Sequence, residues 1–161
     1  MPNKRLQFPM PSKIRSLATI LWAGLIAGGL DITAAFAVYG FFGLKPMRLL
    51  QGIAGGLLGP RTFEGGLATA FLGLLCQFLI AFSAAAVYFA MSRGLPFLMK
   101  HAVVSGFVYG AAVYFFMNRI VVPLSAATKY PFSFKMMFIG VVIHMFCVGL
   151  PISLIVRRFS R

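Results

Sequence analysis

Hydrophobic positions fill four long blocks of this chain, and short polar, basic or proline-containing segments separate them. The blocks run over about 17–42, 66–91, 102–124 and 134–156. Each reaches the roughly 20 apolar residues that an α-helix needs to cross a bilayer. Small and polar residues recur inside the blocks with helical spacing. Gly24, Gly28, Asp31 and Ala35 fall on one face of span one. In span two, Gly66, Ala70, Gly73, Gln77, Ala81 and Ala84 form one stripe. Gly106 and Gly110 give span three a GxxxG, and Gly140, His144, Cys147 and Pro151 share a face of span four. Faces of this kind let helix backbones approach closely in lipid, where packing rather than hydrophobicity drives association. The strict alternation of a membrane β-barrel is missing. The pattern predicts an all-α integral membrane protein, a single membrane domain over 1–161 with four transmembrane helices.

The segment LKPMRLLQGIAGGLLGPRTFEGG, 44–66, stands apart. Pro46 suits the first turn of a helix, and Gly59-Pro60 would end it. The enclosed helix, 46–59, is apolar but too short to span. Two placements are open for it: an amphipathic helix in the interface, or a re-entrant half-helix packed on the bundle through Gly52, Gly55, Gly56 and Gly59. Arg48 and Gln51 lie on one side of it.

Composition supports the membrane class. The 161 residues are 60% hydrophobic and 11% charged, against about 25% charged in soluble domains. The net charge of +13 sits at the ends of the apolar blocks, where it meets lipid headgroups, so a nucleic-acid partner is not expected. The tail, 1–15, carries Lys4, Arg5, Lys13 and Arg15 with three prolines, and is expected as an irregular, basic cytoplasmic segment. Its apolar continuation is too long for a signal-peptide core, so span one is expected to be retained. With four spans both termini share a side. That side also holds Arg93, Lys100, Arg157, Arg158 and Arg161, and it outweighs Lys45, Arg48, Arg61, Arg119, Lys129 and Lys135 opposite. Both termini are therefore expected in the cytoplasm. Cys76 and Cys147 form no CxxC or Cys/His spacing, so neither a disulfide framework nor a metal site is predicted.

The candidate chemistry lies in a thin polar layer. Asp31 is one of two acidic residues in the chain. An ionisable group near the bilayer centre costs at least about 2.5–3.5 kcal/mol, so it should meet protein partners or a wet cavity. Asp31 and His144 each lie nine residues from an outer reference position, Gly40 and Lys135, about 14 Å at 1.5 Å per residue. They are expected to meet. Gln77 lies slightly deeper and Asn118 slightly shallower, so each span is expected to supply one polar group. Arg119 would either neutralise Asp31 or extend outward. Two roles are open for the layer: a proton-sensitive site shared by Asp31 and His144, or a hydrogen bond that only fixes helix packing. Haem or pigment ligation by His144 lacks a second histidine at matching depth, because His101 lies at the opposite end of span three. No serine–histidine–acid set, metal-hydrolase motif or phosphate loop is present. No cofactor and no enzyme activity are predicted.

At GLIAGGLDITAAF, HAVVSGFVYGAAVYFFMNRIVVPLSA and IGVVIHMFCVGLPISLIVRR the chain resembles a group of small bacterial inner-membrane proteins. It is similar, more loosely, to the YagU-like family. That family's glycine-rich first span and late span with a buried histidine correspond to Gly24, Gly28 and His144. The chain departs from it in its short loops and near absence of acidic residues. The resemblance implies a multi-span protein of the bacterial inner membrane and carries over no catalytic residue. Small size and short loops favour an accessory or structural subunit, docked on other membrane subunits or on itself through its small-residue faces. The alternatives are a small proton-sensitive transporter or channel and, behind it, an enzyme acting on lipid.

Overall fold

The computed structural model describes residues 13–129 and 133–159, and all regular structure among them is helical. Span one is α1 (Lys13–Phe41). It is followed by α2 (Pro46–Leu58) and a 3-10 segment, Gly59–Glu64. Span two is α3 (Gly66–Gly94), and a short α4 (Pro96–Lys100) occupies the connection to span three. Span three is α5 (Ala102–Leu124) and span four is α6 (Phe134–Phe159). All four spans are long and apolar enough to cross a membrane, and the chain is an all-α membrane protein. The expectations placed on residues 1–12 and on Arg161 lie outside the described residues. Within the tail, helix begins at Lys13, earlier than the apolar pattern alone indicates.

Glycine contacts set the packing. A Cβ on Gly24 would collide with Phe82, and one on Gly28 would meet Phe78 and Ala81. These contacts make α1 and α3 antiparallel. Gly106 and Gly110 of α5 lie against Gly149, Ser153 and the His144 carbonyl of α6. Gly140 of α6 receives the Tyr114 ring. These five glycines, with Gly73 against the Leu50 carbonyl of α2, are the small residues read from the sequence as packing positions. All of them are filled from within the chain.

Each of the two outer spans widens before a proline. In α5, residues Met117–Val121 are π-helical, and Pro123 follows two residues later. In α6, His144–Gly149 is π-helical, and Pro151 follows at the same interval. Proline lacks the N–H for the i−4 carbonyl and its ring clashes with that carbonyl, so a wider turn relieves the conflict without ending the helix. At the end of this π turn Gly149 joins Gly140 and the His144 carbonyl in contact with α5.

One half of the bundle is closed. Ala23, Ala27, Ala85, Tyr88, Val148, Ile152 and Val156 form a buried cluster in the half that carries the described chain ends. Tyr88 is fully buried, its hydroxyl 2.9 Å from Ser105 Oγ, and its ring meets Tyr109 edge-on at 5.0 Å. Tyr109 donates to the Ala84 carbonyl at 2.7 Å, which ties α5 to α3.

The other half is held by α2. Pro46 starts this helix, and Gly59, at φ +63°, ends it in a backbone conformation that suits glycine. Gln51 is fully buried. Its amide donates to the Gly66 carbonyl at 3.0 Å and to Thr69 Oγ1 at 3.3 Å, while Thr62 donates to the Gln51 carbonyl at 2.8 Å. This knot fastens α2 along the first two turns of α3. The Ala126 N–H donates to the Gly56 carbonyl at 3.0 Å, so the end of α5 is also tied to α2.

Candidate functional site

The small face of α1 carries Asp31 one helical turn beyond Gly28. Because the α1–α3 register pairs Gly24 with Phe82 and Gly28 with Phe78, the next turn brings Asp31 opposite Gln77. The Gln77 Nε2–H donates to Asp31 Oδ2 at 2.8 Å. On the other side, α6 places His144 Nδ1 3.9 Å from Asp31 Oδ1. That distance lies within ion-pair reach and beyond a hydrogen bond. Asp31 is 17% exposed and His144 22%, so neither side chain is sealed inside the bundle. Three spans thus bring an acid, an amide and an imidazole together at one depth.

The imidazole is oriented by its own helix and by α5. His144 Nδ1 lies 2.9 Å from the Gly140 carbonyl oxygen. A carbonyl only accepts, so this bond assigns the hydrogen to Nδ1 and leaves the Nε2 lone pair to take up a proton. The Tyr114 ring meets the imidazole edge-on at 5.3 Å. His144 also opens the π-helical turn of α6, and such turns recur at functional sites. Charged and titratable neighbours come from each element around the pair. Titratable groups on these helices include Tyr39 of α1, Cys147 of α6 and Tyr114 of α5, with Arg119 beyond it.

Asn118 does not join this group. Its amide donates to the Tyr114 carbonyl one turn back, at 3.0 Å, and its side chain is exposed. The expectation of one polar group from every span fails there because Asn118 bonds back to its own helix at the start of the π turn. Arg119 is likewise exposed, toward the end of α5. The contribution of α5 is aromatic: Tyr114 packs on both Gly140 and His144.

Sequence reasoning missed Tyr114 and the full burial of Gln51. Tyr114 sits four residues before Asn118 on the same helix face, a spacing that could have pointed to it. For Gln51 the signal was a lone amide on the small face of a short apolar helix, beside Ala54 and Gly55. Its Oε1 has no hydrogen-bond partner among the described residues. Among those residues no group of three or more His, Cys, Asp and Glu side chains could hold a metal ion.

Fold and site together define a four-span helical membrane protein with one acid–imidazole pair between its spans. No protein-family model, curated protein or solved structure matches the chain, so function has to be read from its own geometry.

Proposed function

We propose that this protein takes up and releases a proton at Asp31 and His144, as a small proton-sensitive transporter or channel. The observation behind this reading is the meeting of the Asp31 carboxylate, held by Gln77, with His144 at 3.9 Å. An ionised carboxylate is expensive to hold alone in a membrane. Beside an imidazole, one proton shared by the two leaves the pair neutral overall, and each further gain or loss of a proton changes its charge. Partial exposure gives that proton somewhere to go. We further place the protein in the bacterial inner membrane with both termini cytoplasmic, as the basic residues and the family resemblance imply. Docking on a larger complex through small-residue faces finds less support, because Gly24, Gly28, Gly73, Gly106, Gly110 and Gly140 of those faces are occupied inside the chain, with Gly52 and Gly66 left open.

The test is proton flux into proteoliposomes holding a pH-sensitive dye, after an acid jump outside. The native protein is expected to acidify the lumen faster than empty vesicles. Asp31→Asn is expected to lose that excess while eluting as the same monodisperse species in detergent. Equal flux with and without the carboxylate would remove the proposal.

A further inference from the structure

The acid–imidazole pair divides the bundle into two unlike halves. Before Asp31, α1 buries Thr19, Ala23, Gly24, Ala27 and Gly28, and the corresponding stretch of α6 buries Val148, Gly149, Ile152, Ser153 and Val156. Every buried hydroxyl there has an acceptor nearby. Thr19 donates to the Arg15 carbonyl, Ser92 to Phe89, Ser105 to Leu98 and Ser153 to Leu150. Among the described residues of this half, no buried polar side chain is left over to hold a file of water.

Beyond the pair the pattern reverses. After Ile32, no residue of α1 is buried. The same holds for α5 from Met117 to Leu124 and for α6 from Phe134 to Ile143. On these three helices the polar side chains Tyr39, Tyr114, Asn118 and Arg119 are exposed or half-exposed, whereas α2, α3 and the 3-10 segment between them keep Gln51, Thr62 and Ala70 buried. The Tyr114 ring stands beside His144 at 5.3 Å, and Tyr39 of α1 and Arg119 of α5 lie further along their helices toward the end of the bundle.

We infer that in the resting state, with no gradient applied, water and protons reach Asp31 and His144 from one end of the bundle only, the end where α1 and α5 finish and α6 begins, and that release to the other side needs the closed half to part. Their route passes along a strip bearing Tyr39, Tyr114 and Arg119. The strip offers hydroxyls that both donate and accept, as a hydrated proton needs. This inference rests on the proton-exchange proposal for its meaning but not for its test.

The test is thiol labelling in proteoliposomes, in a Cys76→Ser, Cys147→Ser background with a C-terminal tag that reports orientation. Ala35→Cys stands one turn beyond Asp31 on the same face, and Ser153→Cys stands in the closed half. A membrane-impermeant maleimide is expected to label Ala35→Cys from the side opposite the tag, to lose that reaction when applied from the tag side, and to leave Ser153→Cys unlabelled from both. Tyr39→Cys, at a more exposed position of the strip, repeats the measurement if Ala35→Cys fails to fold. Labelling of the strip from the tag side, from both sides or from neither overturns the inference, as does labelling of Ser153→Cys. Since access is read without any proton being moved, one-sided access can fail while proton flux still depends on Asp31, and the reverse.

Discussion

The two halves of α6 are made of similar residues and end in opposite states. Phe134–Ile143 is apolar apart from Lys135 at its start, yet none of its residues is buried. Leu150–Phe159 carries two arginines and two serine or proline interruptions, yet Ile152, Ser153 and Val156 are buried. Hydrophobicity alone predicts the reverse. In a bilayer an apolar side chain gains nothing by leaving lipid for protein, so burial follows close backbone approach and paired polar groups. The half after His144 has both: Gly149 lies against Gly106 and Gly110, and Ser153 is satisfied within its own turn. The half before it has Gly140 alone, taken up by a tyrosine ring. Substitutions should therefore cost stability in the closed half and alter protonation in the open one.

The largest effect is expected at Tyr88. It is the largest fully buried side chain, with a hydroxyl in contact with Ser105 and a ring stacked edge-on against Tyr109. Tyr88→Ala should lower stability by about 3–5 kcal/mol, the range for removing a buried aromatic ring. Unfolding by sodium dodecyl sulfate in mixed micelles reads this directly. A loss no larger than that of a lipid-facing control such as Leu79→Ala would mean that the closed half is not the stabilising one.

Gly149→Ala comes next. Its added methyl would strike the Gly106 carbonyl and the Gly110 backbone, which cannot swing aside as a side chain can. Overpacking of this kind costs about 1–3 kcal/mol. Gly24→Ala meets the Phe82 ring and, at 2.9 Å, the Phe82 Cα. It should cost less than Gly149→Ala, whose obstacles are all backbone, because part of its clash lies with a ring that can rotate. Comparing the two in the same micelle titration separates backbone contact from side-chain contact. A smaller third step is Tyr109→Phe. It deletes the hydrogen bond to the Ala84 carbonyl and should cost about 0.5–1.5 kcal/mol.

How far the chain could be read before folding follows the same division. The four spans, the short helix that starts at Pro46 and the pairing of Asp31 with Gln77 and His144 were legible, because each depends on local period, length and rise per residue. The α5–α6 seam was visible as GxxxG spacing. The π turns were not, since an α-helical periodicity carries no allowance for an extra residue. Pro123 and Pro151 were the clue, and they mark where the wheel slips. Tyr114 was hidden for another reason. Its spacing of four from Asn118 put it on the face of that amide, but spacing does not distinguish a ring packed on an imidazole from one that points away from the bundle.

Asn118 offers the smallest and most discriminating comparison. By depth it belongs with Asp31, Gln77 and His144; by contact it belongs to its own helix, donating to Tyr114. The side chain is exposed, and the carbonyl it meets remains within reach of the α5 backbone ladder. Asn118→Ala should therefore change stability by no more than about 0.5 kcal/mol, as for exposed substitutions away from packed features. It should also leave the infrared difference spectrum between acid and neutral pH unchanged. Gln77→Leu, which removes the donor to Asp31 Oδ2, should shift the carboxyl band in that spectrum. If Asn118→Ala moves the same band, depth rather than contact decides membership of the site, and the open half is wired more broadly than its hydrogen bonds show.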